Sequence, residues 1–168
     1  MSITLNKFLK KSGYFAVKLQ YLKTKHYSLE AKINGISGKF ILDTGASNSC
    51  ICASLENNFN VISKETIEKA SSATSEISNA KISKNNTIQI GKWENKINLI
   101  SFNMDHINQA LGEKKIDLIE GILGADILKK SKAILDYKSN KLYLKLRSNR
   151  SQNFFCRLFN QNKSTRQY

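Results

Sequence analysis

Alternating apolar and polar residues dominate the chain and predict β-strands. Every second residue is apolar over Tyr14–Tyr21, and the same period returns over Tyr27–Ile33. A period of two puts one set of side chains on one face of a strand. Gly35 and Gly38 bracket a tight connection that leads into Lys39–Asp43, whose three middle residues are apolar, so a hairpin ending at a carboxylate is predicted.

Further strands and a few short helices follow from the same patterns. Apolar residues near 49–53, 82–90 and 97–102 predict strands, and an Asn-containing turn predicts pairing of Ala133–Tyr137 with Lys141–Lys145. Thr4 is placed to cap a helix that Gly13 ends, and Gly124 is placed to open another that ends near Lys130. Residues 104–111 are ambiguous but helical in pattern. The chain is therefore predicted to be all-β with minor helical additions.

Composition narrows the class of protein. The 168 residues are 40% hydrophobic and 24% charged, as in one soluble globular domain, and no apolar run reaches the roughly 18 residues of a membrane span. The formal charge of +14 raises nucleic acid as a partner, but the basic residues are spread from Lys7 to Arg166 without a long run, so nucleic acid is an unlikely partner. Three cysteines cannot form a disulfide framework, and the first residues of the sequence lack the pattern of a secretory signal, so export is not expected. A cytoplasmic location is expected.

The triplet Asp43-Thr44-Gly45 is the strongest candidate for chemistry. It follows directly after apolar strand residues, where a carboxylate is costly unless it is hydrogen-bonded or used. The alternative is an aspartate in an ordinary turn. A carboxylate that activates water needs a partner group of controlled protonation, and a second carboxylate close by satisfies that need because the two share one proton. The triplet occurs once in the chain.

Two segments together resemble the retropepsin-like aspartic proteases, the single-lobed relatives of pepsin. They are Phe40–Ser47 and Gly121–Gly124, and the sequence after Gly124 is similar to the bacterial branch. The resemblance spans roughly Tyr27 to Leu146. It implies an all-β, closed barrel-like domain with one short helix, to which this chain adds an N-terminal helix and a C-terminal tail. The expected division is an extension over 1–25, a protease domain over 26–146 and a basic tail over 147–168.

The resemblance also implies the site. Asp43 is the expected catalytic carboxylate, supported by the rest of its loop (Thr44, Gly45, Ala46 and Ser47), and the second motif packs behind it (Gly121, Ile122, Leu123 and Gly124). In the family the threonine hydroxyl braces the two loops across a dimer. With one triplet per chain, the second carboxylate must come from another copy, so a homodimeric endopeptidase acting on peptides or proteins is expected, without metal or cofactor.

The flap region departs from the family pattern. Family members close a glycine-bearing hairpin over the substrate, whereas residues 70–79 contain no glycine and the predicted flap is Ser71, Ser72, Ala73 and Thr74. A catalytically silent module of the same fold, binding peptides or anionic partners, is therefore an alternative function. A nucleic-acid-binding barrel is a third, disfavoured because aromatic residues do not interleave on a basic strand face.

Other polar residues have structural interpretations. Asp126 and Asp136 lack the following Thr-Gly or Ser-Gly pair, and helix-capping and turn roles are expected for them. Cys50 and Cys52 lack further metal ligands nearby and are expected to be buried or half-buried free thiols. His26 and His106 are expected at the surface, and Trp93 is expected to pack beside a turn.

Overall fold

β-Strands, most of them paired antiparallel, are the main regular structure of the described residues. A computed structural model describes residues 4–65, 70–71, 76–77, 80–113 and 118–146, and the predicted tail over 147–168 lies outside these. In chain order the described α-helices and β-strands are α1 Leu5–Lys11, β1 Tyr14–Lys18, β2 Gln20–Tyr21, β3 Tyr27–Ile33, β4 Ile36–Leu42, β5 Cys50–Cys52, β6 Lys64–Glu65, β7 Ala70–Ser71, β8 Glu76–Ile77, β9 Lys81–Ile90, β10 Trp93–Phe102, α2 Asp105–Glu113, β11 Gly121–Leu123, α3 Ala125–Lys130, β12 Ile134–Asp136 and β13 Lys141–Lys145, and a 3-10 helix spans Ala53–Leu55.

The main sheet closes on itself. Its strands follow the order β2-β3-β4-β11-β5-β10-β9-β6, and β3 pairs additionally with β9 through Lys32↔Gln89 and Ile33↔Ile88. Strands β3, β4, β11, β5, β10 and β9 thus form a closed six-stranded barrel, which confirms the predicted fold class. Closure satisfies the backbone groups of strands that would otherwise be open edges.

The barrel interior holds the principal hydrophobic core. One face of each long strand is buried, and the fully buried interior side chains include Ile33, Phe40, Ile51, Ile88, Ile90 and Leu99. A second, smaller cluster lies outside the barrel around Ile41, Met104 and Ile119, and α2 packs against it through Ile107. The segment around residues 104–111, which was ambiguous in sequence, is helical, and the helix buries apolar side chains against this outer cluster.

The helix boundaries follow the capping residues. The Thr4 hydroxyl accepts a hydrogen bond from the backbone N–H of Lys7 at the start of α1, and Gly124 is the N-cap of α3. Strands β12 and β13 pair antiparallel as expected. Trp93 is buried immediately after the turn at Gly91, in agreement with its predicted packing role.

The N-terminal strand predicted over Tyr14–Tyr21 is divided between two sheets. Strand β1 pairs along its whole length with β13, in a small sheet of order β1-β13-β12, whereas β2 pairs with β3 in the main sheet. Leu19, buried between them, donates its backbone N–H to the Asn140 carbonyl. The sequence left open whether this segment covers an edge, and within the chain it covers the edge of β13.

The role predicted for Gly38 was wrong. Only Asn34 and Gly35 form the tight turn, with φ values of 49° and 88°. Gly38 lies inside β4 opposite Ala31, and a β-carbon there would stand 2.7 Å from Cζ of Phe59. Its glycine serves a close approach of the Phe59 ring to the strand backbone.

Asn34 joins three separate segments at this turn. The two N–H groups of its side-chain amide are shared among the Phe59 and Asn60 carbonyls and Oδ1 of Asn86, at 3.0, 3.1 and 3.0 Å. Its Oδ1 accepts from the backbone N–H of Thr87 at 2.9 Å. The side chain therefore connects the β3–β4 turn to the loop after β5 and to β9, next to the pairing that closes the barrel.

Replacing Asn34 should destabilise the fold. We expect Asn34→Ala to lower the free energy of unfolding by about 2–3 kcal/mol in urea denaturation, because partly buried partners lose their hydrogen bonds and alanine must adopt a positive φ. Asn34→Gly, which tolerates that φ, isolates the side-chain contribution and should cost less. A change under about 0.5 kcal/mol for Asn34→Ala would contradict this role.

Candidate active site

The two predicted motifs meet because β11 lies between the strands on either side of the Asp43 loop. Strand β11 runs parallel to β4, with Gly121↔Phe40 and Leu123↔Leu42, and antiparallel to β5, with Gly121↔Ile51. One further hydrogen bond, from the Asp43 N–H to the Leu123 carbonyl at 3.0 Å, continues the pairing to the candidate acid itself. The position of Asp43 is therefore set by a segment about 80 residues further along the chain.

The Asp43 loop holds its carboxylate by a local contact. The backbone N–H of Gly45 donates to Oδ1 of Asp43 at 2.8 Å, and a β-carbon on Gly45 would lie 3.3 Å from the same oxygen. Asp43 is half-buried, whereas Thr44, Gly45 and Ser47 are exposed. The carboxylate is thus oriented by the backbone and remains accessible on the outer side of the loop.

The second motif packs against this loop with no room for additional atoms. The Ala125 N–H donates to the Ala46 carbonyl at 2.7 Å, and a β-carbon on Gly124 would lie 2.7 Å from that same carbonyl oxygen. A β-carbon on Gly121 would lie 2.2 Å from the Cys50 carbonyl oxygen. At both positions a neighbouring backbone carbonyl lies too close for any side chain, so only glycine fits. The two glycines of the motif therefore follow from its place between β4 and β5.

A buried serine links the two motifs, and sequence reasoning missed it. Ser49 is fully buried, accepts the Gly124 N–H at 2.9 Å and donates its hydroxyl to Oδ1 of Asp126 at 2.7 Å. Asp126 Oδ1 also accepts the Ile127 N–H at 2.8 Å in the first turn of α3. Asp126 therefore has the structural role expected of it. A polar residue directly before the apolar strand β5 was the available signal for Ser49.

Asp136, the other rival acid, is the last residue of β12, directly before the turn to β13. It accepts hydrogen bonds from the Ser139 hydroxyl and from the backbone N–H groups of Lys138 and Ser139. The Ser139 hydroxyl is the main cause that lowers the pKa of Asp136 below its ordinary value. All these contacts are local, as expected for a turn residue.

The structure describes only part of the predicted flap region. Strands β7 and β8 pair antiparallel through Ala70↔Ile77 and Ser71↔Glu76, which agrees with a hairpin in this region. Ser71 lies in β7, and the predicted tip residues Ser72, Ala73 and Thr74 lie outside the described residues.

An open cavity of about 450 Å³ lies beside the candidate acid. Its lining includes the end of β4 and the Asp43 loop, the turn between β2 and β3, and residues around β12: Tyr21, Lys25, His26, Tyr27, Leu42, Asp43, Thr44, Leu135, Tyr137 and Asn140. The Tyr27 hydroxyl donates to Oδ1 of Asn140 at 2.9 Å. Asp43 is the only carboxylate among these described lining residues, and sequence reasoning had not placed Lys25 or Tyr27 at the site.

The sequence matches a protein-family model, and the fold matches solved structures. The model described as "gag-polyprotein putative aspartyl protease" matches residues 29–130. The chain belongs to the retropepsin-like aspartic protease family. The matched range contains both motifs and five of the six barrel strands complete. No curated protein matches the sequence significantly.

Two solved structures show the same fold. A retropepsin-like aspartic protease from Rickettsia conorii is 22% identical, with 79% of this chain and 92% of that chain covered and a TM-score of 0.57. The EIAV protease complexed with the inhibitor HBY-793 is 19% identical, with 70% of this chain and 98% of that chain covered and a TM-score of 0.51. At these identities the likeness concerns the fold of this retropepsin-like chain.

The remaining candidate features are metal ligands, membrane-spanning helices and the two histidines. In the described parts of the chain, no three metal-ligating side chains cluster, and no helix is both long and apolar enough to cross a membrane. His26 is exposed at the turn before β3, as expected, and it lines the cavity. For His106 only the backbone, within α2, is described.

Cys50 and Cys52 are buried free thiols in β5, as predicted. Burial raises the pKa of the Cys50 thiol to about 12, and the nearby Asp126 and Asp43 carboxylates add to the rise. The thiol therefore stays protonated in the folded protein at neutral pH and is a poor nucleophile.

The raised pKa of Cys50 makes stability depend on alkaline pH. From its ordinary value of 9.0 up to about 12, the unfolded chain loses the proton while the folded protein keeps it, so folding becomes less favourable as pH rises. Each pH unit in this window should cost about 1.4 kcal/mol. Urea denaturation in reducing buffer should show a steeper loss above pH 9.0 for the native sequence than for Cys50→Ala. Equal slopes in both proteins would contradict the raised pKa.

Proposed function

We propose that the protein is an aspartic endopeptidase whose active site forms between two copies of the chain. The observation that carries the proposal is Asp43 itself: a backbone-oriented, accessible carboxylate at the edge of an open cavity, in a chain of this protease family. No second carboxylate lines the described cavity, so an isologous homodimer would supply it as Asp43 of the partner subunit.

The proposed chemistry is general acid–base hydrolysis without a covalent intermediate. Two carboxylates in contact hold one proton between them, because both cannot ionise at close range. The ionised Asp43 takes a proton from water as the water oxygen attacks the peptide carbonyl carbon, and the protonated Asp43 of the partner subunit donates to the carbonyl oxygen. Transfer of a proton to the amide nitrogen then accompanies cleavage of the C–N bond.

Supporting roles follow from the contacts around Asp43. We assign orientation of the carboxylate to Gly45, through its N–H, and support of the loop to Ala46 and Ser47. Residues 121–124 would back the loop through the Leu123 carbonyl and the Gly124 N–H. The hairpin of β7 and β8 would act as the flap over bound peptide, with residues 71–74 at its tip.

The wider assignments follow from the same proposal. Residues 26–146 would form the protease domain, the segment 1–25 would be attached to it through β1, and residues 147–168 would form a basic tail. Peptides or proteins would be the substrates. A cytoplasmic location is proposed because the described Cys50 and Cys52 thiols are unpaired, as is usual in reducing compartments.

Removal of the Asp43 charge should abolish turnover. Asp43→Asn is nearly isosteric and can keep the Gly45 hydrogen bond through its amide oxygen, so we expect an intact fold and dimer with no detectable cleavage of a mixed peptide library at about pH 4–7.5. Mass spectrometry of products and solution mass measure both properties together. Cleavage retained in this variant would overturn the catalytic role of Asp43.

The outcome for the native sequence separates the two functions. Turnover by a dimer supports the protease. A folded dimer that binds peptides and cuts none would favour the catalytically silent module, which the glycine-free flap region and the charge of +14 make the second candidate.

Thr44 should stabilise the dimer through its hydroxyl. It is exposed beside the cavity, where a partner loop would meet it. We expect Thr44→Val, which keeps the side-chain shape, to weaken dimerisation about tenfold in sedimentation experiments, since one hydrogen bond is lost from each of two symmetric loops. Thr44→Ser keeps the hydroxyl and is the matched control. Equal dimerisation constants for valine and serine would exclude this role.

A further inference from the structure

The strand register brings the turn between β2 and β3 beside the candidate acid. Strands β3 and β4 pair as far as Tyr27↔Leu42. His26 is the residue before Tyr27, and Asp43 is the residue after Leu42, so the two stand at neighbouring strand ends. Both line the same cavity, together with Lys25.

The turn holds these two basic residues in a defined place. The Leu22 N–H donates to the His26 carbonyl, and the Lys25 N–H donates to the Leu22 carbonyl, each at 2.9 Å. Lys25 adopts a positive φ of 66°, which fixes the direction in which the chain leaves the turn. Lys25 and His26 are exposed, and within the described part of the chain no ion pair or side-chain hydrogen bond occupies their basic groups.

The charge of the cavity favours an anion at its mouth. Asp43 is the only acid among the described lining residues, and in the proposed dimer two copies of Asp43 share one proton and so carry one negative charge. Two copies of Lys25 carry two positive charges. A carboxylate near Lys25 is therefore attracted, whereas a carboxylate placed directly against Asp43 is repelled.

The adjacent wall suits a side chain with an apolar stem. The Tyr27 ring lies 5.1 Å from the Tyr21 ring and 5.7 Å from the Tyr137 ring, measured between centroids. Tyrosine faces pack well against methylene groups. An extended peptide advances roughly 3.3 Å per residue, so a side chain two or three positions from the scissile bond reaches a turn that neighbours Asp43.

We infer that Lys25 and His26 are specificity residues that select peptides with a glutamate or aspartate two or three residues from the scissile bond. The inference rests on the proposed function for the location of that bond. The substrate class would be peptides with an acidic segment, which the basic turn of Lys25 and His26 would bind beside Asp43.

The test compares paired peptides that differ only by glutamate or glutamine at that position. With the native sequence we expect kcat/KM about two- to fivefold higher for the glutamate peptide at low salt, the size of an accessible ion pair, with a smaller ratio at high salt. The double variant Lys25→Gln/His26→Gln should bring the ratio close to one. Lys129→Gln removes one lysine charge, as Lys25→Gln does, but from an exposed position outside the cavity, and should leave the ratio unchanged.

Binding measured by fluorescence anisotropy separates this inference from the proposed function. Asp43→Asn should bind the labelled glutamate peptide more tightly than the glutamine peptide, and the difference should disappear when Lys25 and His26 are both glutamine. That result without any cleavage by the native sequence would refute the protease and keep the cationic subsite. Cleavage with equal ratios, or no preference in binding, would overturn the subsite and keep the protease. Failure of the folded protein to bind the glutamate peptide at all also overturns the subsite.

Discussion

The candidate site depends on one constraint. Residues Gly121–Leu123 lie between β4 and β5, the two strands that flank the Asp43 loop. Their strand β11 completes the hydrogen bonding of β4 on one side and of β5 on the other. Without it, the barrel would have a gap and the backbone groups of both neighbours would lack partners. The Asp43 loop is the connection across that gap, so its geometry is set by the same pairing that closes the barrel.

The polar contacts behind the loop show why this arrangement tolerates little change. Ser49 is fully buried, and its hydroxyl is used both as acceptor, from Gly124, and as donor, to Asp126. A buried polar group is inexpensive only when its hydrogen bonds are complete. The β-carbon that a substitution at Gly124 would add meets backbone atoms, which cannot move aside as a flexible side chain can. The catalytic candidate is thus accessible on its outer side and rigidly backed on its inner side.

The cavity side of the molecule has a different character. Its walls come from the β2–β3 turn, from the end of β4 and from the region around β12, and they carry tyrosine rings, an amide and basic groups. This surface is open, in contrast to the packed layer behind the loop. The cavity walls are thus built largely from turns and strand ends, whereas the acid is oriented by paired strands.

Much of the fold was predictable because its signals are local. Alternation over Tyr27–Ile33, the capping hydroxyl of Thr4 and Gly124 at the start of α3 act within a few residues, and two motifs sufficed to indicate the family. Gly38 was misassigned to a turn. Glycine is needed there because the ring of Phe59, 21 positions away, lies against the strand backbone. Likewise Ser49, Lys25 and His26 acquire their neighbours only when strands distant in sequence pair. By itself the sequence determined most of the elements, the family and the candidate acid. The tertiary structure decided which groups surround that acid, because contacts between distant segments depend on strand order and register, and local patterns encode neither.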